Sequence, residues 1–163
     1  MTAASLPALQ QVHLRPGELL VTRQPQLVVT VLGSCVAVTM FEPITGLAAI
    51  CHAMLAAPPP AAGAVLRSFR YMNHALPSMI DSFRRAGVAP ERVEVKLFGG
   101  ASVLRVGGGP CVGAANLAAA RRLLRESRFG IRAENTGGGR GCKILFNTAT
   151  GEVLHRHLTR NLS

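Results

Sequence analysis

Apolar residues fall in short β-branched runs early in the chain and at helical spacing in two later stretches. The pattern therefore predicts strands first and a mixture of helices and strands afterwards. Leu19–Thr22 and Gln26–Leu32 read as strands split by Gln24-Pro25, and Val36–Phe41 as a third. Glu42 to Gly46 is a turn signal, and Leu47–Leu55 is a further apolar strand. Ala56 to Gly63, with Pro58-Pro59-Pro60, is a surface loop. From Val65 the period changes: Val65, Phe69, Met72, Leu76, Ile80 and Phe83 recur as on one helix face, with Pro77 expected to kink or divide that helix. Val93, Val95 and Leu97 alternate with Glu94 and Lys96 as in a half-buried strand, which Phe98-Gly99-Gly100-Ala101 ends. Val112–Glu126 reads as a second helix, with Leu117, Ala120 and Leu124 on one face. Ile131–Glu134 is a short strand, and Lys143–Phe146 with Glu152–Leu158 forms a closing hairpin. No internal repeat and no domain-sized linker interrupts this order. The expectation is one α/β (α+β) domain over residues 1–163, built of mixed β-sheets and two main helices, with residues 1–11 as a loose tail.

Composition narrows the class. Hydrophobic residues are 48% of the 163 and charged residues 16%, enough for a core and too apolar for disorder. No stretch reaches the roughly 20 apolar residues of a membrane span; the longest candidate, Leu27 to Phe41, contains Thr30, Gly33, Ser34 and Thr39. The first residues, MTAASLPALQQVHLRPGE, lack a basic leader followed by an apolar run, so a cytoplasmic protein without membrane insertion is expected. Lys plus Arg number 18 against 8 Asp plus Glu, a net charge of +10 carried almost wholly by Arg. Such a surface suits anionic partners, and an Arg-rich coding bias on a solvated face explains the charge equally well. Aromatics are 4% with no Trp, which argues against a stacking platform for single-stranded nucleic acid.

The chemistry-bearing residues are few. Cys35, Cys51, Cys111 and Cys142 form no C-x-x-C pair and stand at no zinc-finger spacing from a His pair, so neither a metal site nor a disulfide framework is expected. Gly107–Gly109 and Gly137–Gly139 match no phosphate-loop pattern. His155 and His157 share one face of the last strand, without a third ligand in view. The sharpest local feature is Thr30-Val31-Leu32-Gly33-Ser34-Cys35, where a strand runs into Gly-Ser-Cys and another leaves at once. A cysteine at such a turn can face a ligand, with backbone N–H groups aimed at the same point. A nucleophilic thiol needs a base. If Glu42 to Thr45 is the loop between the third and fourth strands, Phe41 opposes Gly46 and Cys35 opposes His52. The ordinary alternative is that both side chains are core residues, as Cys51, on the other face, is expected to be.

Leu32–Val38 (LGSCVAV), then Gly46 and His52-Ala53-Met54-Leu55, resemble the signature of the CheD family, the chemoreceptor glutamine deamidases of chemotaxis. The resemblance continues through Lys96–Ala101, Val112-Gly113 with Asn116, Gly137-Gly138 and Lys143–Phe146 with Gly151. It implies a cysteine-dependent amidohydrolase with Cys35 as nucleophile, His52 as general base and acid, and Thr30 as a third polar group. It further implies oxyanion or substrate contacts from Gly33, Ser34, Phe98, Gly99, Gly100 and Asn116. The implied fold is that of the cytotoxic necrotizing factor deamidases, with no metal or organic cofactor. The implied substrate is the cytoplasmic helices of methyl-accepting chemotaxis receptors, and a CheC-type phosphatase is an implied partner of some members. Departures from the pattern occur at Ala56, Ala115, Asn135-Thr136 and Cys142. The competing readings are a non-catalytic adaptor of the same fold, a basic nucleic-acid-binding domain, and a thiol enzyme acting on another amide or ester.

Overall fold

A computed structural model describes residues 8–62, 68–102 and 111–159. In chain order the strands are β1 (Gln10–His13), β2 (Leu19–Thr22), β3 (Gln26–Leu32), β4 (Val36–Glu42) and β5 (Leu47–Ala53). Helix α1 (Met72–Arg85), strand β6 (Glu94–Gly99) and helix α2 (Val112–Glu126) follow, then β7 (Ile131–Thr136), β8 (Cys142–Asn147) and β9 (Val153–His157). One sheet has the order β1-β3-β8-β9 and the other β2-β5-β4-β6-β7, so both mix parallel and antiparallel pairs. The class is mixed α+β, as expected.

The five-stranded sheet lies in the middle of three layers. One face packs on the four-stranded sheet through Ala37, Phe41, Ala48, Ile50 and Phe98, against Val28, Leu32, Ile144 and Phe146. The other face packs on the two helices through Val36, Val38, Met40, Ala49, Cys51, Val95 and Leu97. This explains why β4 and β5 read as unbroken apolar runs: strands covered on both faces have no polar side to show. No helix among the described residues is long and apolar enough to cross a membrane.

Three expectations change. The first helix starts at Met72, because Tyr71 is still extended (φ −100°, ψ 129°) and bridges Leu55 beyond the end of β5. Phe69 lies in a turn and is 42% exposed, while Val65 falls outside the described residues, as does the Gly107–Gly109 loop. Pro77 neither ends nor divides α1. It is the helix's sixth residue, where its missing N–H costs only the bond to the Asn73 carbonyl. The first strand begins at Gln10, within the stretch expected as a tail, and it pairs in parallel with β3.

Candidate active site

Thr30 of β3 and His52 of β5 meet across the interface of the two sheets. Thr30 sits between Val28 and Leu32 on the inner face, and His52 follows Ile50 and Ala48 on theirs. The Thr30 hydroxyl donates to the Leu14 carbonyl at 2.8 Å, and its oxygen lies 2.7 Å from His52 Nδ1. A hydroxyl has one proton to give, and it goes to Leu14. The Nδ1 must therefore carry the hydrogen and donate to Thr30 Oγ1. That assigns the lone pair to Nε2, which is buried and has no hydrogen-bond partner among the described residues. His52 is 1% exposed, and its burial pushes the imidazole pKa down to about 4, so the ring is neutral at neutral pH. The arrangement is that of a base: neutral, oriented through one nitrogen and open at the other.

Cys35 lies just before β4, half-buried, against the core between the sheets. The expected register is off by two. His52 opposes Ala37, and Glu42 opposes Leu47, so the loop is Pro43 to Gly46. The cause is Glu42, which was expected to open the turn and is instead a strand residue. Its carboxylate accepts the N–H groups of Ile44 and Thr45 and closes the turn from inside. An even shift preserves the face. Cys35 thus stays on the His52 side, two residues before Ala37, which opposes His52. No hydrogen bond joins the thiol to Nε2 in this state. Burial pushes the Cys35 thiol above its ordinary value of 9.0. The resting pair is a neutral thiol beside a neutral imidazole.

The other expected residues frame this pair. Gly33 and Ser34 form the bend before Cys35. The Gly33 carbonyl accepts the Ala101 N–H at 3.0 Å, and the Cys35 carbonyl accepts the Gly100 N–H at 2.9 Å. Gly99 has φ +94°, and a Cβ there would fall 2.3 Å from the Cys35 carbonyl oxygen, so only glycine lets β6 close on the turn. Phe98 opposes Ala37 and so continues the His52 row on the inner face. Asn116 is on α2, on the other side of the sheet, fully buried and donating to the Ala53 carbonyl at 2.9 Å.

Two residues not expected at the site belong to the same layer. His52, Ala37, Phe98 and Asn135 form one row of the five-stranded sheet, and Thr30, Ile144 and His155 one row of the other. The rows close at one end through Thr30 and His52. At the other end His155 Nδ1 lies 3.1 Å from Asn135 Nδ2, and its ring stacks on Phe98 at 6.1 Å. The shared face of His155 and His157 was visible in the strand alternation, and their rings meet edge-on at 4.8 Å. Asn135 gave no signal, because it depends on a parallel pairing between β6 and β7. Among the described residues, no group of three or more His, Cys, Asp or Glu is arranged to hold a metal. Cys51 faces the helices, with its thiol pushed up to about 12 by burial, and Cys142 is buried opposite Leu32.

Comparison with known proteins bears on this geometry. A family model described as CheD chemotactic sensory transduction matches residues 54–157, beginning just after His52. Similarity to curated relatives extends over the segment before residue 54 as well. The chain is 41% identical over 157 residues to the probable chemoreceptor glutamine deamidase CheD 2 of Geobacter sulfurreducens, covering 94% of each. It is 35% identical over 141 residues to the chemoreceptor glutamine deamidase CheD of Thermotoga maritima, covering 86% of this chain and 87% of the relative. Among solved structures, the hypothetical protein YfiH of Bacillus licheniformis superimposes with a TM-score of 0.48 at 16% identity, over 71% of this chain and 49% of that one. With the LGSC turn, the histidine behind it and this similarity along almost its whole length, the chain belongs to the CheD family.

Proposed function

We propose that this chain is a single-domain, cysteine-dependent deamidase that converts glutamine side chains of chemotaxis receptors to glutamate. The observation that carries the reading is the Thr30–His52 pair, which gives His52 a free lone pair on the face that Cys35 shares. The names of the relatives supply the substrate class.

The steps follow from the protonation states. His52 Nε2 takes the Sγ proton of Cys35 as the sulfur attacks the amide carbon. A neutral resting pair suits this: the proton moves during attack, and no buried ion pair has to be kept at rest. Charge develops on the amide oxygen, and in this reading backbone N–H groups of the Gly33–Cys35 turn, which Gly100 and Ala101 pin through its carbonyls, receive it. His52 then returns the proton to the amide nitrogen, the C–N bond breaks and ammonia leaves. A water, deprotonated by His52, attacks the thioester, the C–S bond breaks, and the thiol is regenerated with glutamate released. In this reading Phe98, Gly99 and Gly100 shape the substrate-side wall. The substrate is the cytoplasmic helical part of a receptor, so the enzyme acts in the cytoplasm. A CheC-type phosphatase is a candidate partner.

A second reading has two observations in its favour: the raised Cys35 pKa and the absence of a Cys35–His52 hydrogen bond suit a non-catalytic adaptor. Ammonia release from a glutamine-bearing receptor fragment separates the two. Wild type is expected to release ammonia and Cys35→Ala to release none while still binding the fragment. Binding without release by wild type would favour the adaptor.

A further inference from the structure

We propose that the first turns of α2 are a strut that sets the separation of Cys35 and His52, with Asn116 and Gly113 as positioning residues rather than substrate contacts. The inference rests on the deamidase reading for its reaction, and on geometry for everything else.

One face of α2 touches the backbone behind both reacting side chains. Asn116 Nδ2 donates to the carbonyl of Ala53 at 2.9 Å. Ala53 is the residue after His52, the last of β5, and it pairs with Val36, the residue after Cys35. Three residues earlier on the helix, Gly113 lies directly on Gly100. A Cβ at position 113 would fall 2.5 Å from the Gly100 carbonyl oxygen and 2.9 Å from its Cα. Gly100 in turn donates its N–H to the Cys35 carbonyl at 2.9 Å. On the next step of the same face, the Leu117 side chain fills the space where a Gly100 Cβ would project, 2.5 Å away. Positions 113, 116 and 117 share a face by helical spacing. So one rigid element holds the Cys35 segment through Gly100 and the His52 strand through Ala53.

The chemistry of Asn116 points the same way. Its side chain is fully buried and its Oδ1 has no hydrogen-bond partner among the described residues. A buried amide that leaves one end unsatisfied is a poor choice for stability alone. The amide that it does satisfy ties down the strand end beside the base. Cys35 lies two residues before Ala37, the partner of His52, and no hydrogen bond joins it to Nε2, so the proton transfer depends on how far that strand end can drift. A misplacement of about 1 Å can cost on the order of 100-fold in rate.

Asn116→Leu keeps the branched shape of the side chain, with methyls somewhat larger than the amide groups, and removes the tether. It exchanges an orphaned side-chain oxygen for a backbone carbonyl with one partner fewer, so the melting temperature should change little. Gly113→Ala pushes α2 off Gly100. Leu124→Ala, a fully buried residue farther along the same helix, is the control for lost packing. On a glutamine-bearing receptor cytoplasmic fragment, Asn116→Leu and Gly113→Ala are expected to lower kcat roughly 10- to 100-fold, with KM within about twofold. Leu124→Ala is expected to lower the melting temperature and leave kcat of the folded protein near wild type.

A second readout needs no substrate. The ratio of Cys35 alkylation rates by iodoacetamide, wild type over His52→Ala, measures how well the imidazole reaches the thiol. Asn116→Leu should bring that ratio toward one. If wild type converts no glutamine but the ratio exceeds one and collapses in Asn116→Leu, the substrate reading fails and the strut stands. If kcat and the ratio are unchanged in Asn116→Leu, or fall no further than in Leu124→Ala, the strut is refuted.

Discussion

At the scale of single residues, the chemistry turns on where two protons sit. Thr30 gives its proton to Leu14, which makes His52 a donor at Nδ1 and leaves a lone pair at Nε2, where the proposed base function resides. Thr30→Val removes the acceptor and frees the ring to flip or change tautomer. It should lower kcat about 10- to 100-fold, measured by steady-state ammonia release, with a smaller effect on KM. Burial holds His52 near 4, so kcat/KM should be flat through neutral pH and fall only as the pH approaches 4. An acid limb centred near 6.5 instead would mean an imidazole that is not desolvated. The same shift acts on stability. Above about 6.5 the ring is neutral both folded and unfolded and contributes nothing. Between about 6.5 and about 4 the unfolded chain binds a proton that the folded one does not, so stability declines as pH falls through that window. The Cys35 thiol moves the other way, and its alkylation by iodoacetamide should have a midpoint above 9.0. The identities of these residues were legible in the sequence through the LGSC turn and the later histidine. The tautomer was not, because it depends on the Leu14 carbonyl, which no pattern of side chains announces.

At the scale of elements, the hairpin of β4 and β5 shows what sequence pattern can and cannot specify. Alternation placed Cys35 and His52 on one face, and that survived. The pairing itself depended on which residue ends β4, and a buried glutamate is not what hydrophobic patterning selects. Glu42 is fully buried; its carboxylate is satisfied by Ile44, Thr45 and Arg92, and these bonds hold its pKa at about 2 against the desolvation that opposes them. Arg92 is itself 44% exposed, so the backbone bonds matter more than the ion pair. Glu42→Gln keeps the shape, loses the charge and turns two of the acceptor positions into one. By urea denaturation at pH 7 it should destabilise the fold by about 1–3 kcal/mol. Because the folded pKa lies below the unfolded value of 4.5, this contribution is present above 4.5 and lost as pH falls toward 2. The gap between variant and wild type should narrow over that window; a constant gap would mean that charge is not what Glu42 supplies. The late start of α1 has a similar origin. The apolar period runs back past Met72, but the extended Tyr71 is held beside Leu55, and a tertiary contact overrides a local rhythm.

At the scale of the whole molecule, three layers give one apolar interface between sheets and another between sheet and helices, and the site lies in the first. The α+β class, the two helices and most strands were legible from period and turn residues. The short β1, the parallel β6–β7 pairing and the row that brings Asn135 to His155 were not, since each is set by chain segments far apart in sequence. The charge of +10 suits a partner rich in Glu and Gln, whose negative charge the reaction increases. The most direct measurement is peptide mass spectrometry of a receptor cytoplasmic fragment incubated with the protein in oxygen-18-labelled water. Wild type is expected to convert specific glutamines to glutamate with one solvent oxygen each, and Cys35→Ala and His52→Ala to convert none. Conversion that persists in Cys35→Ala would contradict the proposed nucleophile.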